Sequence, residues 1–428
     1  MSTRLLIVSP HFPPVNAPDM QRVRTSLPYF VETGWEVTVL TVADPTPTAP
    51  VEPELATSVP ASVRVERAFC FSRHWTRFFG VNNVALRSLP FLFAAGCRLL
   101  TRRRHDVVYF STTMFIVLPF GRLWKMFYGV PYVIDLQDPW ISDYYDRPGA
   151  PRPPGGWKYS IAQGLGRVLE GWTMRGAAQI IAVSQVYIDT LRVRYPRLRA
   201  TPATVLPFGS PDPDLHRVAA EMKSRRPILP ATGGLRLVFA GALGPGMLAA
   251  VEVLFAAMAE VLRSGVPVSA HFFGTSYSPL AQGRPATLAL AVQYGLQGCV
   301  HEQPDRLRYF DALQVTLEAD ANLVLGSSEL AFTPSKILTV LAAGRPVLAI
   351  APAGSAMVPR LAELRQSCVV FPATGPDSES VHATAGRLRS LSCTPRVDHP
   401  VSNAPDGFSA QALAVQQLEI FSQAARQG

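Results

Sequence analysis

The order of elements between residues 323 and 350 restricts the fold more than any other feature of the chain. Residues 323–325 close an apolar run that reads as a buried strand, and Thr333, Pro334 and Ser335 supply a cap and a helix-start proline. Residues 337–343 read as a short helix ended by Gly344, and Arg345-Pro346 lead into 347–350, a second buried strand. Two fully apolar strands joined by a helix must lie parallel in a sheet covered on both faces. A helix starting near Ser335 would turn its free N–H groups and the positive end of its dipole past the first strand's carboxyl end. Lys336 adds a full charge there, which suits a phosphate.

The same pattern recurs from the start of the chain. Residues 5–9 and 35–41 read as strands flanking a helix over 22–33 that Gly34 ends, and 106–110, 131–135, 179–183 and 204–207 read as further apolar strands. After a Pro-, Gly- and charge-rich stretch the pattern restarts: a strand at 235–240, a glycine loop, a helix over 247–264 and a strand at 268–273. A chain of 428 residues exceeds one core and fits two domains of about 200 residues each. The expected division is a Rossmann-like domain over 1–210, a linker over 211–232 and a second Rossmann-like domain over 233–405. An amphipathic helix over 406–428, with Leu413, Val415, Leu418 and Phe421 on one face, is expected to pack back toward the first.

Composition narrows the function. Hydrophobic residues make up 48% and charged residues 17%, which marks a chain with ample core and excludes a disordered one. The five cysteines lack CxxC spacing, so neither a zinc site nor a disulfide framework is expected, and a cytoplasmic setting follows. The apolar run at 5–8 is too short for a signal peptide, and the longest apolar stretches fall short of the roughly 18 residues of a spanning helix, so none is expected. Residues 1–210 carry 23 Lys+Arg against 14 Asp+Glu, so the whole net charge of +9 lies there. Much of it sits beside aromatics: Arg73, Trp75, Arg77, Phe78 and Phe79, then Arg102 to Arg104, then Arg122, Trp124, Lys125, Phe127 and Tyr128. That pattern fits either an anionic membrane surface or a solvated face with snorkelling arginines. No nucleic-acid recognition module is visible.

Five places could carry chemistry. Gly241 and Gly244 follow a strand and precede a helix, where backbone can approach a phosphate. Lys336 supplies the cation, and Glu329 is the acid nearest the helix start. Asp138 lies just past a strand's carboxyl end, placed either to handle a ligand's proton or to cap the next turn. After the first strand, Asn16, Arg22 and Arg24 are polar candidates for binding a ligand, and His11 reads as a satisfied loop histidine. With Asp212-Pro-Asp214 the only D-x-D and no ligand-spaced cluster, no metal or other cofactor is expected.

Thr-Pro-Ser-Lys-Ile at 333–337 followed by Leu-Ala-Ala-Gly-Arg-Pro-Val-Leu-Ala at 341–349 resembles the donor-site segment of retaining glycosyltransferases of the GT-B fold, family 4. Asp135-Leu-Gln-Asp138-Pro-Trp140 resembles the family's D-x-R-D-x-W strand end. The resemblance implies two Rossmann-like doubly wound domains facing each other across a cleft. It implies transfer of a sugar, with retention, from a nucleotide-diphosphate donor to a glycan or lipid-linked glycan of a bacterial surface polysaccharide. Gly241, Gly244, Glu329, Pro334, Ser335, Lys336 and Thr339 would bind the donor, Asn16 and Arg22 would lie on the acceptor side, and Asp138 would be catalytic. The family's paired glutamates fall here on Ala331 and Thr339, and Ala242 stands where an arginine or asparagine is common. A non-catalytic nucleotide or glycan binder and a nucleotide-sugar epimerase of the same fold are the alternatives.

Overall fold

The computed structural model describes residues 3–141, 157–231, 233–276, 285–330, 332–334, 336–394, 401, 404–405 and 407–427. The chain forms two compact units, Met1–Gly209 with Ala410–Gly428, and Ser210–Ser409.

The first unit is built on a parallel sheet. Its strands are β1 (Arg4–Val8), β2 (Glu36–Ala43), β3 (Arg64–Phe69), β4 (Val107–Ser111), β5 (Tyr132–Leu136), β6 (Gln179–Ala182) and β7 (Ala203–Val205), in the order β3-β2-β1-β4-β5-β6-β7. Strand order reverses between β1 and β4, which opens a crevice at their carboxyl ends. The helices Gln21–Glu32 and Ala410–Ala425 cover one face, where Phe30, Trp35 and Tyr109 meet Phe421. The helix Val84–Arg102 covers the other, with Leu92 and Leu99 in the core beside Trp124. Gly96 sits so close to the Trp124 ring that a β-carbon there would overlap it.

The second unit repeats the design with β8 (Leu235–Ala240), β9 (Val268–Phe273), β10 (Val300–Gln303), β11 (Ala321–Leu325), β12 (Val347–Pro352) and β13 (Cys368–Phe371), ordered β10-β9-β8-β11-β12-β13. Here the reversal falls between β8 and β11. The helix Leu248–Arg263 lies over the sheet with Val251, Leu254, Phe255 and Met258 fully buried.

Several expectations change. The supposed linker contains the helix Asp212–Glu221, which belongs to the second unit: Asp214 accepts a 2.7 Å bond from Tyr309, and Glu318 accepts from the Ile228 and Leu229 amides. Its prolines mark a helix start, not free chain. Two helices, Val84–Arg102 and Pro245–Arg263, are long and apolar enough to cross a bilayer, against the expectation that no such stretch exists. Both contribute core residues to their own units. Trp124, expected on the exposed basic face, is wholly buried against Phe110 and Phe93.

Candidate functional site

In the second unit the polar groups of interest gather at the carboxyl ends of β8, β9 and β11. The Lys336 ammonium donates to the Ala240 carbonyl at 2.9 Å, which lays it across the end of β8. Glycine at 241 leaves room for this, since a β-carbon there would sit 3.5 Å from the Lys336 nitrogen. Although Lys336 is exposed as a residue, protein crowding around its ammonium lowers its pKa to about 8, and the Arg306 charge adds to the effect. Arg306 follows β10, and its Cα lies 3.5 Å from where a β-carbon on Gly274 would be. Ala240 and Phe273 are paired across β8 and β9, so the residues after them, Gly241 and Gly274, bring two cations to neighbouring strand ends. Arg306 makes no ion pair among the described residues. It was absent from the sequence candidates because nothing in its own loop resembles a motif; only strand register brings it beside Lys336.

Other donor-side candidates take different places from those expected. Gly241 spends its N–H on the Phe273 carbonyl at 2.9 Å, so it does not offer that amide to a ligand. Gly244 has open space on its β-carbon side. Gly246 is the close approach in this loop: a β-carbon would lie 2.6 Å from the Ser327 hydroxyl, and its carbonyl accepts from the Ser328 amide at 2.8 Å. Glu329 is exposed, with its amide on the Ser327 hydroxyl at 3.2 Å. Pro334 accepts from the Ile337 amide at 3.3 Å, and Thr339 is half-buried on the helix Ile337–Ala342. Ser335 and Ala331 lie outside the described residues. The helix has six residues and no side-chain cap, so Lys336 rather than a long helix dipole supplies the positive charge.

Gly326 sets the position of this loop. Its amide donates to Ile350 at 2.8 Å, and a β-carbon would fall 2.7 Å and 2.9 Å from the Ala351 side chain and Cα. Gly326→Ala is therefore expected to cost about 1–3 kcal/mol by overpacking. Urea unfolding should show the loss, and an unchanged midpoint would mean that the loop adjusts freely.

In the first unit a second polar group surrounds the β1/β4 reversal. Asp19, 2% exposed, lies 3.0 Å from His11 Nδ1 and accepts from the Thr112 hydroxyl at 2.9 Å and the Thr113 amide at 3.4 Å. Asp138 stands exposed just past β5, with its pKa raised by partial burial and by the Asp19 charge. Its own charge in turn raises the Tyr187 pKa, after burial. Trp140, two residues on, stacks on Phe115 with ring centres 5.7 Å apart.

Arg22, expected to face an acceptor, does not. It is 4% exposed, pairs with the fully buried Asp135 at 2.9 Å and donates to the Leu206 and Pro207 carbonyls. Arg24 is equally buried, on Gln21 and Ser58. Asn16 is half-buried between Glu52 and Gln21, at 2.8 Å and 3.0 Å. On the surface of this unit, the short helices Arg73–Thr76 and Arg77–Phe79 leave Trp75, Phe78 and Phe79 exposed by 77%, 77% and 86%. Met126 and Phe127 are exposed at the end of the helix Pro119–Tyr128.

Comparison with known proteins gives these arrangements a context. The model of the family described as "Glycosyl transferase 4-like domain" matches residues 21–209. No curated protein matches the chain significantly. Among solved structures, sucrose-phosphate synthase from Thermosynechococcus elongatus is 14% identical with a TM-score of 0.61, covering 98% of this chain and 98% of its own. The catalytic domain of starch synthase IV from Arabidopsis thaliana, solved with ADP and acarbose, is 11% identical with a TM-score of 0.62 and covers 100% of both chains. HepE from Anabaena, solved with UDP, is 16% identical with a TM-score of 0.50, covering 100% of this chain and 99% of its own. These likenesses show the fold, two Rossmann-like domains of the GT-B type.

Proposed function

We propose that the chain, which has the GT-B fold and matches a glycosyl transferase 4-like domain over residues 21–209, transfers a sugar from a nucleotide-diphosphate donor to a glycan or lipid-linked glycan with retention. The acceptor is a bacterial surface polysaccharide in the making. One observation carries the donor half of this reading. Lys336 and Arg306 bring two cations to the carboxyl ends of the adjacent strands β8 and β9, of which β8 borders the β8/β11 reversal where α/β sheets bind ligands. A diphosphate neutralises both, and the charge that grows on it as the sugar leaves strengthens that contact. In this reading side chains, not a metal ion, stabilise the leaving group.

Lys336→Met is expected to weaken UDP, GDP or ADP binding by about 10- to 100-fold, the worth of a hydrogen bond to a charged group. Calorimetric titration of each nucleotide checks this, and unchanged affinity removes Lys336 from the site. The pH dependence has a definite sign. The free ammonium is protonated below about pH 8, so affinity should hold below that value and fall as pH rises through it. If none of the three nucleotides raises the melting temperature, the donor reading fails.

A second reading, nucleotide or glycan binding without transfer, is favoured by Thr339 and Ala242, which replace groups that the family resemblance implies. Nucleotide binding with no product from any donor would select it.

The exposed Trp75, Phe78 and Phe79, interleaved with Arg73, His74 and Arg77, support peripheral attachment to the anionic cytoplasmic face of a membrane, where a lipid-linked acceptor lies. Phosphatidylglycerol vesicles at low salt should co-sediment the protein, and Trp75→Ser with Phe79→Ser should release it. Failure to co-sediment at low salt removes the attachment.

A further inference from the structure

We propose that the helix Val84–Arg102 lies flat in the headgroup region of an anionic bilayer, with its solvent-facing stripe embedded. This rests on the membrane attachment proposed above and goes beyond it. There the contact is a short aromatic turn; here a whole helix of the first unit is the docking surface.

The helix is apolar on both sides. Its inner face is core, with Leu92 and Leu99 buried, so it cannot leave the fold to span a membrane. The outer stripe is Leu86, Leu89, Pro90, Phe93, Ala94 and Cys97, which recur at the three- and four-residue spacing of one helix face. Leu86, Pro90 and Ala94 are exposed, and the other three are half-buried. A surface helix of a globular protein carries its charged residues on that outer face. This helix has a single charged residue before Arg98, and it turns inward. Arg87 is 1% exposed and donates to Asp44 at 2.9 Å and to the Phe71 carbonyl at 2.6 Å.

Exposed aromatics widen the stripe at both ends. The Arg87 bond to Phe71, with the Phe71 amide on the Arg87 carbonyl at 3.3 Å, holds the segment after β3 against the start of the helix. That segment sets Phe69 and Phe71, 57% and 47% exposed, edge-on to Phe91 at 4.8 and 5.0 Å, and it leads on to Trp75, Phe78 and Phe79. Further along, Phe93 packs on Phe120 and Trp124 of the helix Pro119–Tyr128, whose last turn exposes Met126 and Phe127. An exposed apolar surface of this extent marks an interaction site.

Charge selects the occupant. Residues 68–134 contain nine Lys+Arg and one acid, Asp106, which accepts from the Arg4 amide at 2.7 Å. Arg98 is paired with Glu66. Arg73 and Arg77 before the helix, and Arg102, Arg103 and Arg104 at its end, have no acid partner among the described residues. Anionic headgroups meet those arginines while the stripe between them reaches the acyl boundary. A second copy of this chain would bring the same cations face to face, because a two-fold interface places one patch on itself. The helix returns the chain from the end of β3 to the start of β4 over one face of the sheet. Laid flat, it keeps the strands along the bilayer, so the crevice at the β1/β4 reversal opens beside the headgroups rather than away from them.

Two paired variants test this in the full chain, Leu86→Gln with Ala94→Gln and Leu86→Glu with Ala94→Glu, all at exposed positions. Phosphatidylglycerol vesicles at low salt are the probe, titrated by co-sedimentation. The glutamine pair should weaken binding by about fivefold, through lost apolar burial alone. The glutamate pair should weaken it by about tenfold or more, since it also repels the headgroups. Both should melt where the wild type does. A glutamine pair that binds within about twofold of wild type, below the worth of one buried apolar side chain, overturns the embedded stripe and leaves attachment to the Trp75 turn. A wild type that fails to bind the vesicles removes the attachment itself and this role with it. A wild-type dimer in sedimentation velocity that the glutamate pair dissociates would give the face to a second copy and overturn the proposal. Should the glutamate pair fail to fold, the glutamine pair decides alone.

Discussion

Arg22→Met is expected to destabilise the first unit by about 3–5 kcal/mol, the usual cost of removing one partner of a buried ion pair. Asp135 is fully buried, and Arg22 supplies its only cation among the described residues, at 2.9 Å. Without it the carboxylate keeps the Tyr109, Ser111 and Gln137 donors, at 3.0, 2.9 and 3.2 Å, but no positive charge. The Leu206 and Pro207 carbonyls lose their donor as well, and the Phe208 ring loses the guanidinium that lies 4.9 Å from its centre. One side chain thus fastens the helix Gln21–Glu32 both to β5 and to the segment that follows β7. Urea unfolding at constant m-value measures the loss. Replacing Asp135 with leucine in the same chain should recover part of it, since the uncompensated charge is what costs most. Unchanged stability with lost transfer would instead return Arg22 to the acceptor side.

Asp138→Asn should lower transfer by about 10²- to 10⁴-fold, the range for a proton-handling group. Nucleotide affinity should stay as it is, because the donor site proposed above is built from Lys336 and Arg306. The pKa of Asp138 gives the substitution a second signature. Partial burial and the Asp19 charge raise it, so the folded protein holds this proton more tightly than the unfolded chain does. Stability from this group is therefore greatest at low pH and is lost as pH rises from the unfolded toward the folded pKa. At neutral pH the ionised side chain opposes folding, and the asparagine variant should melt no lower than wild type. A variant that melts clearly lower and transfers normally would make Asp138 a structural cap. In wild type, if the ionised form is the working one, the acid limb of activity should lie above the pKa of an ordinary aspartate.

How far the sequence carried the fold depends on where each strand lies in its sheet. The central strands β1, β4, β5, β8, β11 and β12 are buried on both faces and read directly as apolar runs. The ones missed, β3, β10 and β13, are all edge strands. Arg64-Val-Glu-Arg-Ala-Phe69 is half solvated, so its polar residues hide the strand. The helix Asp212–Glu221 was hidden by Pro211 and Pro213, which also signal loops.

Site residues divide in the same way. Lys336 was legible because its neighbours in sequence carry the motif, and Asp138 because it ends a strand. Gly326 and Arg306 were not, since the contacts that matter to them come from β12 and β9. His11 was visible as a loop histidine, but its contact with Asp19 was not.

By itself the sequence determined two doubly wound units, their buried strands and the charged turn after β11, because hydrophobic period and helix punctuation act over a few residues. Only the tertiary structure decided which polar groups are sealed and which are free. Arg22 and Trp124 look like surface groups and are buried, whereas His11 looks like a loop residue and closes a bonded chain through Asp19 to Thr112, 93 positions further on. Burying a charge or a ring nitrogen requires a partner. In this protein those partners come from strands distant in sequence that parallel pairing sets side by side.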